Sequence, residues 1–333
     1  MRLHATPLHR VVALVATVAA LAAVLALAGA AHASVSTGVV EVETRLAYAN
    51  GVGEATGMVL TPSGEVLTNN HVIRGATQIS VHVPHGRTYS ARVLGYDISA
   101  DVALLQLQGA AGLHTVSLGN SSNVKIGQKV TAVGNEGGAG VLTTRTGTIT
   151  ALGRTITVND QQGGTARLAH LIKTNADLRP GDSGGPLLDS SGSVIGMNAA
   201  ASAELVYQGN GGDGFAIPVN RATSIVSQIE AGRSSAAIHV GATPFLGVTV
   251  ETRPGNTLGV VVTGVKPGSP AARAGINSGD VIVAVNGHAV RTHAGLVARL
   301  LRAHPGDKVR ISWADQVGRK HAATVTLASG PPQ

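Results

Sequence analysis

RPGDSGGPLL, residues 179–188, is the stretch whose reading decides the fold. Gly, Pro, Asp and Ser at this density mark a tight turn. Ser183 is then either one more small residue in a glycine-rich turn or a nucleophile, and these ten residues leave both readings open. A serine nucleophile needs a base within hydrogen-bond reach, a group that orients the base, and donors for the developing oxyanion. Working outward, LTNNHVIRGA (67–76) puts His71 just after a strand, and SADVALLQL (99–107) puts Asp101 just before one. Singly, a His after a strand and an Asp in a turn are usually structural. Together with Ser183 they supply the three roles of a catalytic triad.

From Gly38 to Pro218 the chain runs as short apolar segments broken by Gly, Asn and Asp, such as GMVLTPSGEVLTNN and KVTAVGN. Ser63-Gly64 and Ser191-Gly192 sit between alternating runs, which is a hairpin signal. Regular short strands with frequent turns predict an all-β barrel or sandwich. Residues 220–230, NRATSIVSQIE, carry helical spacing through Ile225, Val226 and Ile229, with Gly232 near the C-cap. Residues 231–243 are small and polar enough for a linker. A second unit, 244–330, alternates strand and turn through GVVVTGVKPGSPAARAGINSGDVIVAVNGHAV and adds an amphipathic helix over 293–303. The closing SGPPQ is expected to fray.

Composition narrows the chemistry. The 333 residues leave room for about two domains. Forty-four glycines favour turns and short strands over long helices, and an aromatic content of 2% leaves Val, Leu, Ile and Ala to build the cores. Cys is absent, so disulfides, thiolate metal sites and a cysteine nucleophile are excluded. The formal charge of +7 comes from dispersed Lys and Arg without a basic block, which points away from nucleic acid. No H-x-x-x-H pair or acidic calcium loop is present, so no metal site is expected. GNEGGAG (134–140) lacks the Lys-Ser/Thr ending of a phosphate loop and the βαβ setting of a dinucleotide site, so no cofactor is expected.

The N-terminus reads as an export signal: a basic start, an apolar run of about 21 residues, and Ala31-His32-Ala33 as a cleavage site, giving a leader over 1–33. The run is also long enough to remain as a membrane anchor. Either way the remainder lies outside the cytoplasm. Loss of Arg2 and Arg10 with the leader would lower the charge from +7 to +5.

The order His71, Asp101, Ser183 is that of chymotrypsin-type enzymes, unlike subtilisin or the α/β-hydrolases. TNNHV, DVALLQL, LGNSSNVKIGQKVTAVGN, RPGDSGGPLLD, VIGM and GFAIPVN occur in that order and closely resemble the HtrA/Deg branch of trypsin/chymotrypsin-like serine proteases. GVKPGSPAARAGINSGDVIVAVNG resembles that family's C-terminal PDZ domain. The resemblance covers about residues 38–330. It implies a mainly β fold, a chymotrypsin-like double β-barrel protease domain over 38–230 followed by a small α/β PDZ domain over 244–330. It also implies an exported serine endopeptidase acting on unfolded or envelope proteins, with an oxyanion hole at the N–H groups of Gly181 and Ser183. Family members often form homotrimers, though no residue here displays the interface. The competing reading is a catalytically inert scaffold or chaperone that binds partners through its PDZ domain.

Substrate contacts are expected along Asn198, Ala199, Ala200 and Ala201, where an extended peptide would add as a strand. Leu246, Gly247 and Val248, within PFLGV, match the family's carboxylate loop and would hold a C-terminal peptide. Two positions depart from the family. Asp177, six residues before Ser183, stands where trypsin-like enzymes carry the acid of a basic-specific pocket. It would select Arg or Lys at P1, or else it pairs with Arg179 in a solvated loop. Asp182 stands where many relatives have Asn, and a carboxylate there needs a partner that the sequence does not name.

Overall fold

In the computed structural model the chain is described over residues 35–46, 51–159, 165–199, 213–235, 237–252 and 258–333. The leader expected over 1–33 lies outside them. Strands β1 (Val39–Leu46), β2 (Gly51–Val59), β3 (Glu65–Thr68), β4 (Gln78–His82), β5 (Thr88–Asp97) and β6 (Val102–Leu107) run in the order β5-β4-β1-β2-β3-β6, and β5 pairs with β6 to close the ring. Alternation sets the faces. In β1, Val40 and Val42 point into a core with Val59, Val66, Val81 and Leu105, while Glu41 and Glu43 are less buried. A short helix α1 (Asn70–Ile73) leaves the end of β3.

A second closed barrel is built from β7 (Lys129–Gly134), β8 (Thr143–Asn159), β9 (Thr165–Thr174), β10 (Pro186–Leu188), β11 (Val194–Asn198) and β12 (Gly214–Pro218). Its interior holds Val130, Ala132, Ile172, Leu187, Ile195 and Ala216, all small or branched, as the scarcity of aromatics requires. Helix α2 (Val219–Glu230) follows, burying Ala222, Ile225, Val226 and Ile229 on one face.

The segment expected to be a linker is structured in its second half. Strand β13 (Ile238–Val240) pairs antiparallel with β5, so the first barrel carries a seventh strand. His239 within it is 2% exposed, with one ring nitrogen 3.0 Å from the Ala242 carbonyl and the other 3.3 Å from that of Leu301. The Tyr96 hydroxyl meets Thr243 Oγ1 at 3.2 Å, and burial pushes its pKa up to about 12.

The C-terminal unit opens with β14 (Thr243–Phe245). It continues with β15 (Val248–Glu251), β16 (Val260–Val265), helix α3 (Pro270–Arg273), β17 (Val281–Val285), β18 (His288–Ala289), helix α4 (His293–Leu300), β19 (Lys308–Ala314), β20 (Lys320–Thr326) and β21 (Ala328–Gly330). The main sheet runs β15-β16-β17-β19-β20, which leaves β15 at an edge among the described residues. Both helices are capped as their sequences dictate: Ser269 Oγ accepts from Ala272 N–H, and Thr292 Oγ1 accepts from Gly295 N–H. Strands β14 and β21 pair with each other. The last residues do not fray: Gly75 N–H donates to the Pro332 carbonyl at 2.8 Å and Asn70 Nδ2 to the Gln333 carbonyl at 3.0 Å. Two prolines reduce the freedom that such a tail must give up to pack.

Candidate active site

Helix α1 and the start of β6 carry the first two candidate residues. Asp101 adopts φ +57°, an uncommon conformation for a residue other than Gly, in the turn that enters β6. Asn69 Nδ2 holds the Asp101 carbonyl at 2.9 Å. The carboxylate gives both oxygens to His71: the backbone N–H of His71 donates to Oδ1 at 2.9 Å, and Nδ1 lies 2.8 Å from Oδ2. A carboxylate acceptor at Nδ1 puts the proton there and leaves Nε2 of the neutral ring as an acceptor. Burial works against the imidazolium, but the charge of Asp101 and its hydrogen bond outweigh burial, and the His71 pKa ends above its ordinary value.

Ser183 sits in the turn between β9 and β10, 5% exposed, and that turn is fastened to the first barrel. Thr56 of β2 does the fastening. Its N–H donates to the Ser183 carbonyl at 2.9 Å, its Oγ1–H to the Gly181 carbonyl at 2.7 Å, and its Oγ1 accepts from Asn135 N–H at 2.9 Å. The glycines are required by this closeness. Gly181 has φ +98°, and a Cβ there would lie 2.0 Å from the Asn135 carbonyl oxygen. Gly184 has φ +84°, and a Cβ there would lie 2.1 Å from the Thr56 carbonyl oxygen. The Pro180 carbonyl accepts from Gly137 N–H at 2.8 Å. The Pro180–Gly181 peptide is trans, so the Gly181 N–H points the opposite way.

Other expected residues fall as follows. Asn198 does not present its main chain to a ligand: its N–H donates to the Gly185 carbonyl and its carbonyl accepts from Gly184 N–H, so it braces the serine turn. Ala199 is 2% exposed, with its N–H on the Phe215 carbonyl. Ala200 and Ala201 lie outside the described residues. Asp177 (φ +43°) accepts from Arg179 Nε at 3.0 Å and Nη2 at 2.5 Å, with Arg145 Nη1 at 3.8 Å. Of its two readings, this engagement fits the loop. Asp182 is buried, with Oδ2 on the Arg179 N–H at 2.8 Å and Oδ1 without a hydrogen-bond partner. Desolvation pushes its pKa up, against the pull of the Arg179 N–H and the Arg145 charge.

In the C-terminal unit, Leu246, Gly247 and Val248 line a cavity with Val250, Leu296 and Leu300, between β15 and α4. Gly247 has φ +86°, and a Cβ there would strike Ser269. Among the described residues no group of His, Asp and Glu could hold a metal ion, and no helix is long and apolar enough to cross a membrane. Thr56, Asn69, Glu136 and Arg145 were not anticipated from the sequence. Only a tertiary contact gives them a role, and no local motif carries it.

A double barrel with a His–Asp pair on one half and a glycine-framed serine turn on the other defines the trypsin-like class of fold. Residues 55–197 match the trypsin-like peptidase domain and residues 261–315 the PDZ domain. The solved structure of the HtrA-type protease AlgW with a tripeptide is 31% identical, covers 90% of this chain and 98% of that one, and superposes with a TM-score of 0.52. The serine protease PepD of Mycobacterium tuberculosis is 34% identical over 89% of this chain and 64% of its own length. The periplasmic pH-dependent serine endoprotease DegQ of Escherichia coli is 35% identical over 78% of this chain and 56% of its own. The chain belongs to the HtrA family of serine proteases, and it spans under two thirds of the length of these two curated relatives.

Proposed function

We propose that the protein is an exported serine endopeptidase in which Ser183 Oγ attacks the peptide carbonyl. His71 takes the proton at Nε2 and returns it to the leaving amine, while Asp101 fixes the tautomer and stabilises the imidazolium. The N–H groups of Gly181 and Ser183 receive the oxyanion; losing one such donor typically costs roughly 3 kcal/mol of transition-state stabilisation. The observation that carries this reading is the two-point fastening of His71 to Asp101, on the same barrel that holds the Ser183 turn through Thr56. Substrate adds as an extended strand beyond Ala199, at Ala200 and Ala201, a mode open to many sequences and suited to unfolded chains. The engagement of Asp177 by two arginines supports a small aliphatic P1 side chain over a basic one.

The edge strand β15 and helix α4 form a groove that receives the C-terminal residues of a partner, held by added-strand hydrogen bonds. Occupancy of that groove shifts the protease toward its active state.

The test compares the purified protein with Ser183→Ala on denatured casein, with cut sites read by mass spectrometry and Ser183 labelling by a fluorophosphonate. Cuts and label in the wild type alone are expected, with Ala, Val or similar residues at P1. An unlabelled wild type would return the chain to the inert-scaffold reading. A dominance of Arg and Lys at P1, lost in Asp177→Ala, would restore Asp177 as the specificity acid.

A further inference from the structure

Two loops meet behind the serine turn. One is 135–140, where Gly137, Gly138 and Gly140 all have positive φ and lend the segment little stiffness of its own. The other is 175–183, which leads to the nucleophile. Their direct main-chain tie is the Gly137 N–H on the Pro180 carbonyl, the bond that turns the Gly181 N–H away from the loop. Arg145, on β8, reaches both loops with one guanidinium. Its Nη2 pairs with the Glu136 carboxylate, and its Nη1 lies 3.8 Å from Asp177 Oδ2. Asp177 is held in turn by the Arg179 side chain, and the Arg179 N–H holds Asp182, the residue before the nucleophile. Ion pairs therefore join Glu136, Arg145, Asp177 and Arg179, and the backbone N–H of Arg179 carries the run on to Asp182, the residue before Ser183.

We propose that Arg145 is a positioning residue for the reaction: by spanning Glu136 and Asp177 it locks the glycine loop against the serine turn and keeps the Gly181 N–H aimed at the oxyanion. Isolated exposed ion pairs hold little. This arrangement differs because a planar fork joins two separate loops, a task a point-charge lysine performs poorly. Arg145 Nε is buried without a hydrogen-bond partner, so the side chain is held by its terminal nitrogens. The Arg145 charge also opposes the burial that disfavours the Asp182 carboxylate, so its loss would weaken the turn at a second place. The two acidic residues that depart from the family pattern, Asp177 and Asp182, thereby acquire one common partner system.

The inference rests on Ser183 and the Gly181 N–H acting as proposed above, and one experiment separates the two. Fluorophosphonate labelling rates at Ser183 and kcat and KM on a fluorogenic peptide are measured for wild type, Arg145→Gln, Arg145→Lys, Glu136→Gln and Asp177→Asn, with thermal midpoints alongside. Arg145→Gln should lose about ten-fold or more in kcat and labelling rate, short of the 10²–10³-fold of outright donor loss, with KM within about two-fold. Arg145→Lys should recover part of that loss, and Glu136→Gln and Asp177→Asn should each show a smaller fall. If Arg145→Gln does not fold, the two carboxamide variants carry the test. Labelling at the wild-type rate in every folded variant overturns the inference. A wild type that does not label at Ser183 overturns the nucleophile assignment and the inference with it.

Discussion

Asp182 shows how the site departs from the simplest electrostatics. Its side chain is buried, one oxygen has a single N–H donor and the other has none. Desolvation raises its pKa, so the ionised form is less favourable in the folded chain than in the unfolded one. The sign follows from linkage: the contribution of Asp182 to stability is fully present below its ordinary pKa and is lost as pH rises through the raised value. Asp182→Asn keeps an oxygen for the Arg179 N–H and removes the charge. It should raise the thermal midpoint at neutral pH, and the gain should shrink as the pH is lowered toward the ordinary carboxylate range. Thermal scans of both proteins across pH 4 to 8 check this. A gain of equal size at every pH would place its origin in packing instead. At this scale His71, Asp101 and Ser183 can be proposed from the sequence because each stands in a short segment with its own context. The partner of Asp182 cannot, because it is a backbone N–H three residues away whose direction only the folded turn sets.

At the scale of elements, β2 does more than close a barrel. Thr56 is wholly buried, and its hydroxyl both donates to Gly181 and accepts from Asn135. Thr56→Val keeps the shape and strands both partners; a buried polar group left unsatisfied costs roughly 1–3 kcal/mol. We expect a loss on the order of 2 kcal/mol or more in denaturant unfolding, with a larger fractional loss of activity, and partial recovery in Thr56→Ser. Unfolding and turnover measured on the same samples check both parts. In the sequence, GEATGMVL gives only a strand with a small polar residue, which is why this role was hidden. Alternation and turn residues leave barrel and sandwich both open, the resemblance narrows them to a double barrel, and the helical spacing over 220–230 is realised as Val219–Glu230. The segment 231–243 is not legible, because AAIHVG is too short and too bland to announce a strand. It becomes one only because β5 offers an open edge.

In the molecule as a whole, the contacts that build the site differ widely in their separation along the chain. His71 and Asp101 pair across 30 residues, whereas Thr56 reaches Gly181 across 125. A chain appearing from its N-terminus can assemble the His71–Asp101 pair with the first barrel alone. It cannot shape the Ser183 turn until β7 to β12 have closed against that barrel, and contacts of such long range form late. On the function proposed above, the topology acts as a clock: cleavage of sibling chains, or of the molecule's own trailing half, waits until synthesis and folding of both barrels are complete. Refolding from denaturant should show this order, with far-UV circular dichroism recovering ahead of fluorophosphonate labelling at Ser183. Simultaneous recovery of the two signals would remove the delay.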